Sequence, residues 1–223
     1  MAWGIVVGVV IIALIFAFIG LVVFKEARTH RFWRRQVEAG DLEMIGQLVQ
    51  QQVDYWRSER APKGTPAGVW QGVQSVELVE AGRDYVRAST TAEPQFAFAS
   101  GQRRQVSGAL DAAKLIAARL AERFFYDIPH VRPERVQIDC YSTYHEPGGA
   151  ATQRCILSLL AKRTDAAEVD WENDSPGAIL DRLGARYEVD SRGEALPIEP
   201  DEQAVRASAN RSRADGLPAE AER

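Results

Sequence analysis

The sequence predicts an α+β fold, with a single N-terminal transmembrane helix followed by juxtamembrane helices and a domain of antiparallel hairpins covered by helices in ββαββα order. Three observations predict it. Met1 to Phe24 contains no charged side chain and is filled mainly by Val, Ile, Leu, Phe and Ala. Further on, some stretches repeat apolar residues at helical spacing while others alternate them with polar residues. The alternating stretches come in pairs around turn residues, which marks hairpins.

From Ala2 to Phe24 a helix would measure about 34 Å at 1.5 Å per residue, enough to cross a hydrocarbon core of about 30 Å. A cleaved signal peptide would show a basic start, a shorter apolar run and a small-residue cleavage tripeptide, and this segment has none of them. Lys25, Arg28, Arg31, Arg34 and Arg35 follow the apolar run against the single acid Glu26. Positive flanks stay in the cytoplasm, so the expectation is a single-pass protein of a prokaryotic inner membrane, N-terminus outside and C-terminal domain cytoplasmic. The same five cations are expected to meet anionic lipid headgroups of the bilayer. Within the span, Gly4 and Gly8 form a small-xxx-small pair that would admit a second helix, from another copy or another membrane protein.

The predicted organisation is an anchor over 1–24, a juxtamembrane helical segment over 25–62, an α+β domain over 63–198 and a disordered acidic tail over 199–223. Asp41 is a plausible N-cap for a helix in which Leu42, Ile45, Leu48, Val49, Val53 and Trp56 share one face. Arg60 to Pro66 breaks that pattern. Trp70 to Ala92 is read as two strands turning at Gly82-Arg83, with Phe96 and Phe98 extending the second, and Arg103 to Tyr126 as one amphipathic helix.

Residues 135–145 and 150–161 flank Glu146-Pro147-Gly148-Gly149 as the second hairpin. An even-numbered loop there would set Cys140 directly opposite Cys155. Val136, Ile138 and Cys140 would then share a core face with Cys155, Leu157 and Leu159. Gln137, Asp139, Tyr141 and Thr143 would occupy a polar outer face, with Arg154 opposite Tyr141. Ser175-Pro176 starts a helix that Gly184 ends, and Arg186 to Ile198 suggests a short last hairpin around Asp190 to Gly193. Beyond Glu199, large apolar residues are nearly absent, so ordering entropy has little to offset it.

Composition narrows the function. Of 27 basic and 31 acidic residues, five and one fall within 25–35, so the rest of the chain carries about eight more acids than bases. That balance argues against a nucleic-acid partner. Two cysteines are too few for a disulfide scaffold. His30, His130 and His145 lack metal-ligand spacing, and there is no phosphate loop or nucleophile elbow, so no catalytic, cofactor or metal residues are assigned. Cys140 and Cys155 form a candidate redox pair; the alternative is that both are small core residues. Tyr141, Thr143, Tyr144 and Arg154 form a candidate binding surface, being residue types favoured at interfaces. The functional expectation is a membrane-anchored accessory, scaffolding or assembly protein with a cytoplasmic interaction domain. The alternative is a tethered enzyme or thiol redox sensor using the cysteine hairpin.

Overall fold

The computed structural model describes residues 39–99, 102–145 and 149–215, together with Trp3, Phe16, Phe18, Ile19 and Val37. The chain divides into two compact units, Met1–Asp41 and Leu42–Arg223. In the first unit Trp3, Phe16, Phe18, Ile19, Val37 and Ala39 are helical. Among the described residues no helix is long and apolar enough to cross a membrane. Apart from those isolated positions, the predicted span with Gly4 and Gly8 lies outside the described residues, as does the basic patch Lys25, Arg28, Arg31, Arg34 and Arg35.

The second unit is mixed α+β. Helix α1 (Leu42–Ser58) buries Ile45, Val49, Val53 and Trp56 of the predicted stripe, while Leu48 is half-buried and Leu42, at the first position of the helix, is exposed. It belongs to the second unit, Leu42–Arg223. Helix α2 (Ala67–Gln74) follows, and Trp70 and Val73 lie on it, not on a strand. The burial of Val69, Trp70, Gly72 and Val73 fits helical spacing, which a short segment shares with an apolar strand run. Gly72 is the point of closest approach: a Cβ there would lie 2.1 Å from Ile116 Cδ1 and 2.8 Å from the Thr91 carbonyl oxygen.

Strands β1 (Glu77–Ala81) and β2 (Tyr85–Thr91) form the first hairpin, antiparallel, with a bulge at Val79 between the Leu78–Ala88 and Glu80–Arg87 pairs. The next segment departs from expectation. Gln102–Ser107 is a strand, β4, paired antiparallel with β3 (Gln95–Ala99), and this hairpin forms its own two-stranded sheet. Helix α3 (Ala109–Tyr126) starts six residues later than the apolar pattern suggests. Gly108 sits extended before it, and Asp111 Oδ2 accepts from the Gly108 N–H at 3.4 Å. Val106, inside the stretch expected to be helical, lies exposed on β4.

Strands β5 (Arg135–His145) and β6 (Ala151–Lys162) complete a four-stranded sheet in the order β1-β2-β5-β6. The two hairpins join through a parallel β2–β5 pair running from Tyr85–Arg135 to Thr91–Tyr141. Connecting parallel strands requires a crossover, and the β3–β4 hairpin and α3 supply it. Helix α3 packs on one face of β5 and β6, and Val136, Ile138, Leu157 and Leu159 of the strands and Ile116, Leu120 and Phe124 of the helix are all fully buried. Trp56 stacks edge-on against Phe124 at 5.1 Å, and Arg123 lies 5.6 and 5.2 Å from the ring centres of Trp56 and Trp70 while pairing with Glu59 at 2.9 Å.

A single helical turn, α4 (Arg163–Ala166), leads to α5 (Pro176–Leu183). Ser175 Oγ accepts from the Ala178 N–H, and Gly184 closes α5 in the left-handed region at φ 75°, as the sequence predicts. Strands β7 (Glu188–Val189) and β8 (Ala195–Leu196) form the small last hairpin. Within the segment expected to be disordered, helix α6 (Ala204–Asp215) packs on β2 and β5. Residues 216–223 lie outside the described residues.

Candidate functional site

Along β5, side chains alternate between the two faces, so Gln137, Asp139 and Tyr141 point away from Val136, Ile138 and Cys140. In neighbouring strands Arg87 stands opposite Gln137 and Ser158 opposite Asp139. The sequence suggests a water-facing surface here. Instead Gln137 is 1% exposed, Asp139 0%, Arg87 7% and Ser158 7%. Each needs a partner, because burying an unpaired polar group is costly.

Asp139 organises the cluster. Its Oδ2 accepts from Arg87 Nε at 3.0 Å and is 3.0 Å from Arg87 Nη2. Its Oδ1 accepts from Ser158 Oγ at 2.6 Å, and Gln137 Nε2 reaches both oxygens at 3.2 Å. A carboxylate so engaged is held as a structural acceptor.

The remaining donors turn to the C-terminal segment. Gln137 Nε2 donates to the Asp201 carbonyl at 3.0 Å and Arg87 Nη1 to the Glu202 carbonyl at 3.4 Å. Arg135 Nε donates to Ser208 Oγ at 2.7 Å, and Val205 is fully buried. Arg206 Nε lies 2.7 Å from both oxygens of Glu80, which also accepts from Tyr85. Burial raises the Glu80 carboxyl, but the hydrogen bonds from Arg206 and Tyr85 outweigh it and leave the group below its ordinary range. Burial and then Glu80 push the Tyr85 hydroxyl up.

The thiols do not meet as predicted. Five residues separate the paired His145 and Ala151, which sets Tyr141 opposite Cys155, and a bulge between Cys140 and Tyr141, with Ile156 as the extra residue, then sets Cys140 opposite Leu157. Alternation then places Cys140 on the α3 face, where its Sγ donates to the Ala113 carbonyl at 3.8 Å, and Cys155 on the Tyr141 face. Both are free and buried. Burial, with Cys155 and Asp139 nearby, pushes the Cys140 thiol well above its usual value; burial and then Asp139 push Cys155 up to about 12. Burial thus disfavours the thiolate form of both.

The candidate binding surface disperses. Arg154 is exposed and stands opposite Ser142, not Tyr141. Thr143 donates through its N–H and Oγ1 to Glu93 Oε1 at 3.0 and 2.7 Å, and Tyr144 OH donates to the Ala195 carbonyl at 2.7 Å. Tyr141 alone of the four lies beside the buried cluster, its hydroxyl pushed up by burial and then by Asp139. Glu93 also lines a groove of about 510 Å³ between the start of α2 and the base of the β3–β4 hairpin, with Gly68, Gln71, Pro94 and Phe96. Among the described residues no three His, Cys, Asp or Glu side chains group closely enough to hold a metal ion.

Arg87 and Ser158 escaped the sequence reading because each is one polar residue in a strand. Only the strand order, which brings Arg87, Asp139 and Ser158 side by side, shows them as a set. No family model matches the chain, and neither a curated protein nor a solved structure does.

Proposed function

We propose that the chain is a single-pass membrane-anchored accessory, scaffolding or assembly protein whose second unit is a cytoplasmic interaction domain at a prokaryotic inner membrane. The supporting observation is the β3–β4 hairpin, which pairs only with itself among the described strands and carries exposed Phe96 and Val106. Exposed apolar residues on a separate hairpin, beside an open groove, suit contact with another protein. The apolar first 24 residues and the cations after them support anchoring, with the bilayer and its anionic headgroups as one partner and another membrane protein or a second copy as the other.

Two measurements test this reading. Arg154→Cys installs an exposed thiol while Cys140 and Cys155 stay buried. A membrane-impermeant thiol reagent should label it only after cells are permeabilised, and labelling of intact cells would reverse the orientation. A photoreactive residue at Val106 should give one discrete crosslinked product in membranes, lost on Phe96→Asp. A chain that alkali strips from membranes, or that yields no product, removes the anchor or the docking role respectively.

A further inference from the structure

The segment 197–215 is held over the buried polar face by hydrogen bonds at separate points, and at its start the Ile198 N–H donates to the Cys155 carbonyl and Arg186 Nη2 to the Glu199 carbonyl, each at 2.8 Å. Val205 is its one buried residue among those described. Two of its polar ties, from Gln137 and Arg87, end on main-chain carbonyls of Asp201 and Glu202. Main-chain ties are indifferent to side-chain identity, which is how extended peptides are commonly recognised. The segment also leaves the face incompletely paired: Gln137 Oε1 is buried without a hydrogen-bond partner. An extended chain offers N–H groups as well as carbonyls, so a differently registered peptide would satisfy that acceptor together with the donors Arg87, Arg135 and Gln137.

We propose that residues 197–215 are a detachable strap, the occupant in cis of a peptide-binding sheet face, and that an extended segment of a partner protein takes its place over Arg87, Arg135 and Gln137. The proposal names a partner class for the interaction domain. It uses only the second unit, so it stands or falls separately from the membrane anchor.

Hydrogen exchange on the full chain tests detachment. Amides of 199–215 should exchange about 100-fold faster than those of α3, because a strap opens by a local route that leaves the core closed. A labelled synthetic peptide spanning residues 197–215 then probes the vacated face. The full chain carrying Val205→Asp and Arg206→Ala should bind it about tenfold more tightly than the native chain, since the competing strap is weakened. Adding Gln137→Leu should reverse that gain. Exchange in 199–215 as slow as in α3 would overturn the proposal. So would an opened variant that keeps native α3 exchange and binds no more peptide. If the variant loses α3 protection, exchange in the native chain decides.

Discussion

Arg87 on β2 and Asp139 on β5 form an ion pair inside the sheet's second face, Nε and Nη2 each 3.0 Å from Oδ2, with side chains 9% and 0% exposed. Removing one member of such a pair leaves the other charge buried and alone, at a cost of about 3–5 kcal/mol. Asp139→Leu and Arg87→Met should each lower unfolding free energy by that order. The double variant should cost less than the sum of the two, because neither charge then remains. Denaturant titration of the purified chain in mild detergent checks this. Strict additivity would show that the pair is not energetically coupled.

Gly72 admits no side chain where α2 meets α3 and β2. A methyl group would press into Ile116 and, at 2.8 Å, into the Thr91 carbonyl oxygen, which is backbone and cannot swing aside. Gly72→Ala should destabilise by about 1–3 kcal/mol, the usual cost of overpacking, despite alanine's better helix propensity. Gly46, where a Cβ meets nothing within 4 Å, supplies the control. Gly46→Ala in α1 should leave thermal stability unchanged or raise it.

Elements governed by neighbours in sequence were legible. The α1 stripe, the Ser175 cap with its Gly184 stop and the two hairpins of the main sheet all follow from local spacing and turn chemistry. Features that depend on distant chain were not. Five residues separate the paired His145 and Ala151 where an even-numbered loop was expected, which parted the cysteines and moved Arg154 from Tyr141 to Ser142, and the bulge at Ile156 shifts the register by one more. The tail has almost no large apolar residues, yet Val205 and two main-chain carbonyls find a polar face already built by β2 and β5. Gln137 and Asp139 alternated as a water-facing surface would, and nothing local marked them as covered.

The thiols predict alkaline sensitivity. Folding raises the pKa of Cys140 and of Cys155, so the folded state holds these protons more tightly than the unfolded state does. Their stabilising contribution is therefore complete below the unfolded thiol's pKa of about 8.5 and is lost as pH rises beyond it. Tyr85, Tyr141 and Tyr144 shift the same way and add to the loss near pH 10 and above. Unfolding midpoints should fall from about pH 9 upward, and Cys140→Ala with Cys155→Ala should flatten the first part of the decline. Alkylation at pH 8 should be slow in the native chain and fast in denaturant; rapid native labelling would contradict the buried, protonated state.

Acid should loosen the C-terminal helix before the core. Glu80 is held below its ordinary pKa and faces Arg206, Tyr85 and Arg87, so its carboxylate stabilises the fold above the unfolded value of about 4.3 and ceases to as pH falls through the folded one. Protonation removes the partner of Arg206, the side chain that ties α6 to β1. Hydrogen-exchange protection of 204–215, corrected for intrinsic rates, should drop between about pH 5 and pH 3 while α3 keeps its protection. Glu80→Gln should lower α6 protection at neutral pH and remove most of its acid dependence. If Glu80→Gln left the native profile intact, the other carboxyls would have to carry the acid response, and the Arg206 tie would contribute nothing to holding the helix.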